Sequence, residues 1–428
     1  MTYATEKIHA VILAAGDGTR MNSDRPKILH AVGRKPMLGH VMDTVRAAGI
    51  NRIFVITGYK SDEVQAYVGS QAQCVEQRQR RGTADAVMQV QSEAILQDPD
   101  ARLLVIYGDT PLIRVETVRR LLAAHFAPDA AGTLLAAKIK DPTGYGRIVR
   151  NDADGVIKIV EEPDCSVFER AIEEINVGLY VFKSSVLFAA LRLIKPTNKK
   201  NEYYLTDVIE VLHKQNLLVN AITTDDADEI LGVNSRQGLA RAYEIYRTRV
   251  LEKLVDSGVT VLDPHTTFID EAVTIGRDSV IYPFTVIEPQ VTIGRNCAIG
   301  PFCRIRSGCA VGDGVSLGNF VELNRSTVGA DSRIKHHSYV GDTTIGQRVN
   351  IGAGTIVANY DGKKKHRTEI ADDAFIGTGT ILVAPVNVGR GAMTGAGAVV
   401  TKGKHVPDGA TVVGVPAREL KKKSLQGK

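Results

Sequence analysis

From residue 261 onward, aliphatic side chains recur at every sixth position: Ile275, Ile281, Ile287, Ile293, Ile299, Ile305, Val311, Leu317 and Leu323. An amphipathic helix buries one face with a period near 3.6 and a half-buried strand with a period of two, so a period of six excludes both. It fits short strands that turn a corner after each hexad, and predicts a parallel β-helix of hexapeptide repeats. Two residues before each hit stands a small or aliphatic side chain: Val273, Ser279, Thr285, Val291, Cys297, Cys303, Cys309, Val315 and Val321. Glycines such as Gly276, Gly294, Gly300, Gly312 and Gly318 supply permissive backbone for the corners. After a one-residue slip the register resumes at Val328, Ile334 and Val340, then at Ile345, Ile351 and Val357, and again at Ile370, Ile376 and Leu382. The segment 359–369, NYDGKKKHRTE, has no hexad register and is expected to loop out. Its clustered cations invite an anion, the alternative being a solvated loop.

The repeat also explains the cysteines. Five is an odd number, and Cys297, Cys303 and Cys309 are repeat positions, so with Cys74 and Cys165 they read as packing residues, not as a disulfide framework or a metal site.

Residues 1–235 read differently. Apolar runs at 10–15, 52–58, 103–108, 132–138 and 175–182 alternate with amphipathic stretches, the pattern of a mostly parallel sheet covered by helices. Between 235 and 257, Leu239, Ala242, Tyr246, Val250 and Leu254 recur at helical intervals, predicting one connecting helix. The expected domains are therefore 1–235, a linker helix within 236–260, and 261–428. A chain of 428 residues with 44% hydrophobic and 24% charged residues has the material for such cores, which excludes wholesale disorder. A net charge of +5 is too dilute to imply nucleic acid, and the basic runs, Lys363–Lys365 with Arg367 and Lys421–Lys423, are short. No run approaches the ~18 apolar residues of a membrane helix, and the N-terminal stretch enters a strand instead of a signal-peptide core, so the expected compartment is the cytoplasm.

Chemistry enters where the first strand ends. It runs into Gly16-Asp17-Gly18-Thr19-Arg20, followed by Arg25-Pro26-Lys27. The dinucleotide fingerprint fails because Met21 occupies its third glycine position, and no P-loop GK[ST] follows. A glycine-rich turn with Arg20 and Lys27 nearby still points to backbone N–H groups and cations around a polyphosphate. The strand at 103–108 delivers Asp109 where such sheets place ligands, a candidate Mg2+ ligand if not a turn cap.

These residues carry a specific resemblance. LAAGDGTRM with Pro26-Lys27, Gln77 with Gly82-Thr83-Ala84, Tyr107-Gly108-Asp109, Thr143 to Arg147, Val160-Glu161-Glu162, Glu174-Ile175-Asn176, the EYYLTD at 202–207 and Gly232-Val233-Asn234 fall in the order of the sugar-1-phosphate nucleotidyltransferases. With the hexapeptide repeats, the chain resembles the bifunctional N-acetylglucosamine-1-phosphate uridylyltransferase/glucosamine-1-phosphate acetyltransferases over nearly its whole length. The resemblance implies a Rossmann-like N-terminal domain and a left-handed C-terminal β-helix. It implies UTP with its uridine held by Ala14, Ala15, Gly16, Gln77, Gly82 and Thr83, its triphosphate neutralised by Arg20 and Lys27, and Mg2+ on Asp109 and Asn234. Gly146, Glu161, Asn176 and Thr206 would hold the acetamido sugar.

In the repeats, the pieces GNFVE, SYVGD, NIGAG and ANYDG resemble the family's acetyltransferase. By itself His336 reads as a surface histidine; the resemblance makes it the general base, with Arg306, Tyr339, Asn350 and Lys365 around the acceptor. Acetyl-CoA would lie near Ala353, Asn359, Tyr360, Thr378 and Ala396. A homotrimer of small-molecule enzymes, with no nucleic-acid or membrane partner, is implied. Two departures stand against the pattern. Asn324 replaces a phosphate-binding lysine, with Arg325 beside it as an alternative cation, and the β-helix reads about two turns short, upstream of CAIGPFCRIRSG. These departures keep open a monofunctional nucleotidyltransferase, glucose 1-phosphate being one candidate substrate, whose β-helix only oligomerises. A non-catalytic assembly protein is the further alternative, disfavoured by the presence of Arg20, Lys27, Asp109 and Asn234 together.

Overall fold

The structure, a computed structural model, describes residues 7–420 except 94, 95, 97 and 99; the run Lys421–Lys423 lies outside the described residues. The chain forms two compact units, Met1–Ile245 and Tyr246–Lys428.

The first unit is built on β1 (Ile8–Leu13), β2 (Arg52–Thr57), β3 (Gln73–Glu76), β4 (Arg102–Tyr107), β5 (Gly132–Lys138), β6 (Arg147–Arg150), β7 (Val156–Val160), β8 (Glu174–Lys183) and β9 (Val219–Thr224). Their order across the sheet is β9-β5-β8-β4-β1-β2-β3, with the hairpin β6–β7 attached to β8. Pairings β1–β2, β1–β4, β2–β3 and β9–β5 are parallel. Strand β8 runs antiparallel to both β4 and β5. The hairpin β6–β7 and a connection through the short helix Val167–Arg170 intervene between β5 and β8, and β6 touches β8 at Arg147–Ile175.

Both sheet faces are buried, so β1 and β4 are buried along nearly their whole length, not at alternate positions, and are apolar apart from His9 and Arg102. On one face Ile8, Ala10 and Ile12 pack with α1 (Met37–Ala47), α2 (Ser61–Val68) and α4 (Val115–Phe126). On the other Val11 and Leu13 pack with α3 (Thr83–Met88), α5 (Ser184–Leu191) and α6 (Asp207–Lys214). Each fully buried aliphatic side chain contributes roughly 1.5–3 kcal/mol. Helix α7 (Arg236–Asp256) follows.

The second unit is a left-handed parallel β-helix of three sheets with ten, eight and eight strands. Apart from the last strand, Arg418–Glu419, which folds back antiparallel on Thr411–Val413, each pairing steps one coil down the chain: Ile281 lies beside Ile299, Ile287 beside Ile305, and Ile293 beside Val311. All the hexad residues named above point inward and form a single core. The three repeat cysteines are buried with them, and burial pushes the Cys303 thiol up to about 12, which keeps it protonated and inert. The slip falls at Asn324–Arg325, after which coil partners lie 17 residues apart, as in Asn319 with His336. Of the expected loop 359–369, residues 359–367 lie between the strands Ile356–Ala358 and Thr368–Ile370, while Thr368 and Glu369 are already paired with Thr343 and Thr344. The loop closes on itself through a Tyr360–Lys365 bridge and through Asp361, which accepts from the Lys363 and Lys364 amides and from His366.

Candidate active sites

At the end of β1 the backbone of Ala14 and Ala15 is fixed by bonds from Ala14 N to Ile56 O and from Tyr59 N to Ala15 O. The glycine-rich turn then crosses above Lys27. Gly18 has φ 62°, and a Cβ there would lie 2.6 Å from Lys27 Cβ, so only glycine lets the turn pass. Beneath it Lys27, in a short helical turn after Pro26, donates to Asp109 Oδ2 and, at 2.9 Å, to Asn234 Oδ1. Asp109 follows directly on β4, and its carbonyl accepts from Val233, which sets Asn234 alongside. One ammonium thus draws together the carboxylate and the amide oxygen that the resemblance assigns to Mg2+.

Around this point lies a cavity of about 500 Å³ lined by Ala14, Ala15, Gly16, Lys27, Gln77, Gly82, Thr83 and Asp109, together with Asp17, Arg80, Tyr107 and Glu202. Gln77 is buried and spends its amide N–H groups on Gly82 O and Asp85 Oδ2, which leaves Oε1 as an acceptor without a partner among the described residues. Gly82 has φ 121°, and Tyr203 leaves no room for a Cβ. Ala84 N donates to Tyr203 O, and Leu205 N to Thr83 Oγ1, so the GTA and EYYLTD segments are stitched together.

The four sugar-assigned residues form a second group. Asn176 N donates to Gly146 O at 2.9 Å, and Thr206 Oγ1 donates to Glu161 Oε1 at 3.0 Å. A register shift in β8 between Asn176 and Tyr180 lets the Asn176 amide reach the Tyr180 hydroxyl at 2.6 Å. Tyr107 joins the two groups. It lines the cavity, packs under Gly178 and lies within the fields of both Glu161 and Asp109. Burial raises the Glu161 carboxyl, and burial together with Glu161 pushes Asp207 up to about 6.

Arg20 does not join this constellation. It is exposed, outside the cavity lining, and has no partner among the described residues. Sequence reasoning gave no role to Arg80 and Asp17, which face each other at 3.5 Å. The available signal was the charged run at 78–81 directly before Gly82.

In the second unit one corner carries four of the ten assigned residues, His336, Ala353, Thr378 and Ala396. His337 N donates to Asn319 O, Gly354 N to His336 O, Gly379 N to Ala353 O, and Gly397 N to Thr378 O. Asn319, His336, Ala353, Thr378 and Ala396 are therefore successive rungs of one column. Beside it runs a second column, where Phe284, Phe302 and Phe320 stack at 4.7 and 5.2 Å and give way to His337 and then to glycines 354, 379 and 397. Bulky rings lie on the N-terminal side of His336 and bare backbone on the C-terminal side.

Of the acceptor residues, Asn350 shares the sheet of His336, and the others lie on or beside the adjoining sheet. Arg306 donates to Glu322 at 3.1 Å, and Asn324 reaches the Tyr339 hydroxyl at 3.5 Å. Arg325 grips Asp342 with two donors and gives a third to Asn324 Oδ1. Asp342 also accepts from the buried Asn359, and these partners hold its carboxyl below the usual range. Asn350 pairs with Arg333 one coil from His336. Tyr360 and Lys365 project from the exposed loop.

A Rossmann-like sheet that gathers Lys27, Asp109 and Asn234 beside a nucleotide-sized cavity defines the class, a nucleotidyl transferase. A family model described as nucleotidyl transferase matches residues 9–228, and one described as the GMPPB C-terminal domain matches residues 264–361. The bifunctional protein GlmU of Geobacillus sp. (strain WCH70) is 43% identical over 451 residues, covering 98% of this chain and 97% of its own. Its counterparts from Pelotomaculum thermopropionicum and Heliobacterium modesticaldum are 45% and 42% identical, covering 88% and 97% of this chain and 89% and 97% of their own. The chain belongs to the family of bifunctional GlmU proteins, uridylyltransferases that make UDP-N-acetylglucosamine for cell-wall synthesis and acetylate glucosamine 1-phosphate. Among the described residues, no helix is long and apolar enough to cross a membrane.

Proposed function

We propose a division of labour in which the first unit, to about residue 235, carries uridylyl transfer and the β-helix, from about 261, acetyl transfer. The observation that carries the first assignment is the convergence of Lys27, Asp109 and Asn234 at the cavity floor. Ala14, Ala15, Gly16, Gln77, Gly82 and Thr83 hold the uridine of UTP, with Gln77 Oε1 free to accept from the base. Gly146, Glu161, Asn176 and Thr206 hold the N-acetylglucosamine 1-phosphate, and Arg20 swings from solvent onto the triphosphate. One carboxylate and one amide oxygen on a single cation suit Mg2+, a hard ion that takes few protein oxygens and completes its shell with phosphates and water. Asp109 and Asn234 would hold it, and it supplies charge neutralisation when bound.

The sugar-phosphate oxygen attacks the α-phosphorus in line, the bond to the β-phosphate oxygen breaks, and pyrophosphate leaves. Positioning and charge lower the barrier, and no covalent enzyme intermediate is needed. Lys27 is placed to meet the charge that grows on the departing pyrophosphate.

In the β-helix, His336 takes a proton from the acceptor amine, whose nitrogen attacks the acetyl thioester and releases CoA. Arg306, Tyr339, Asn350 and Lys365 hold glucosamine 1-phosphate, and the pantetheine arm of acetyl-CoA lies along Ala353, Thr378 and Ala396, where glycines leave the corner bare. Asn359 and Tyr360 border it. The working form is a cytoplasmic homotrimer. Two assays test this reading. Mg2+-dependent pyrophosphate release from UTP and N-acetylglucosamine 1-phosphate should fail in Asp109→Ala, a variant that stays folded with a melting point lowered by only a few degrees, because Lys27 loses its carboxylate but keeps Asn234 as an acceptor. Glucosamine-1-phosphate-dependent CoA release should fail in His336→Ala; its persistence would refute the base.

A further inference from the structure

The column that holds His336 contains one side chain to which the proposed reaction gives no role. Asn319 lies in the preceding coil, its Oδ1 3.2 Å from His336 Nδ1, and the two residues are register partners in adjacent parallel strands. The contact is built into the backbone. A Cβ on Gly318 would lie 1.8 Å from the carbonyl oxygen of Lys335, so only glycine lets the next coil approach this closely. The Asn319 carbonyl then accepts from His337 N at 2.9 Å, fixing the main chain on which the His336 ring turns. His336 is exposed, and no other side chain of the described residues bonds its ring.

We infer that Asn319 is a positioning residue for acetyl transfer, accepting the Nδ1–H of His336 so that Nε2 stays unprotonated and aimed at the acceptor amine. This rests on His336 being the base. An imidazole can take a proton only at the nitrogen that lacks one, and the partner of the other nitrogen decides which that is. A corner histidine without such a partner samples both tautomers and several rotamers, and only a fraction of these point a free lone pair at the substrate. Asn319 removes that freedom before substrate arrives, as ring-orienting partners do elsewhere. The segment Gly318-Asn319-Phe320 thus has a distinct task at each position: close approach, ring orientation, and stacking on Phe302.

The test measures kcat and KM for CoA release by the full-length protein, with His336→Ala as reference. In Asn319→Ala, kcat should fall on the order of tenfold to a hundredfold, with the KM values for acetyl-CoA and glucosamine 1-phosphate and the melting temperature unchanged. Asn319→Asp, which can only accept, should recover most of the loss and move the acidic limb of the kcat profile to higher pH, because a carboxylate favours the imidazolium. Asn319→Leu, similar in size without an acceptor, should behave as Asn319→Ala. Wild-type kcat in Asn319→Ala, or equal losses in the Asp and Leu variants, would overturn the inference while leaving His336 as the base. Full activity in His336→Ala would remove both.

Discussion

Replacing Lys27 by Met tests the first site most directly. The Lys27 and Asp109 side chains are only 14% and 17% exposed, so their pairing is little screened by water. The substitution keeps the side-chain length but removes two charge-assisted bonds, leaving the Asp109 carboxylate without a cation and the Asn234 oxygen without a donor. Leaving a partly buried charge unpaired costs about 1–3 kcal/mol, the lower part of the range for fully buried pairs. For a unit of this size each 1 kcal/mol moves the melting point by ~2–4 °C, giving a fall of roughly 2–12 °C. Catalysis should suffer more, by about 10²–10³-fold in kcat for pyrophosphate release, because the charge facing the triphosphate is lost. In the wild type Lys27 already neutralises Asp109, so Mg2+ without nucleotide should scarcely change the melting curve. In Lys27→Met, Mg2+ should restore part of the lost stability. Calorimetry with and without Mg2+, alongside the release assay, reads both effects. A variant with wild-type kcat, or one that Mg2+ stabilises no more than the parent, would refute the argument.

Other substitutions probe separate points. Gly82→Ala forces a Cβ to 2.4 Å from the Tyr203 carbonyl oxygen at a φ of 121°, and should cost about 2–4 kcal/mol in urea unfolding while raising the KM for UTP. Arg325→Gln should raise the KM for glucosamine 1-phosphate about tenfold and leave that for acetyl-CoA unchanged, and Asn324→Lys should lower the former; no change in either variant would exclude this edge from phosphate binding. Asp207 has its folded-state pKa raised from 3.8 to about 6, so the native state holds its proton more tightly than the unfolded chain and stability falls as pH rises between those values. Asp207→Asn should flatten that slope and add about 1–2 kcal/mol near neutral pH, after discounting for partial exposure. An unaltered pH–stability curve would contradict it.

The β-helix was legible because its period is unlike that of any other element, and a single inward position fixes every strand. The N-terminal sheet was legible as a class through its apolar runs, but the reversal of β8 was not. Apolarity marks a strand as buried without giving its direction, and the hairpin β6–β7 that intervenes before β8 is short and carries Arg147, Arg150 and Lys158. Lys27, Asp109 and Asn234 could be named from spacing and resemblance, whereas their junction through one ammonium needs three separate loops in place. Arg20 was named in the same way and lies apart, because adjacency in sequence to a glycine-rich turn does not determine where a long side chain points. Asn319 stayed silent because its partner is 17 residues away, a separation that makes sense only after the slip at Asn324–Arg325 has been placed on the coil.

Among the described residues, the strands of each coil of the second unit pair with those of the coil before and the coil after it. Such a stack melts from its ends, where a coil has one neighbour, before it melts in the middle, where it has two. The coils bearing Arg306 through Ala396 are interior, with strands from Thr260 onward on one side and strands to Glu419 on the other. The outer coils therefore serve as buffers that fray in place of the catalytic ones, and a chain of this kind can gain or lose an entire outer coil without disturbing the histidine or the neighbours that aim it.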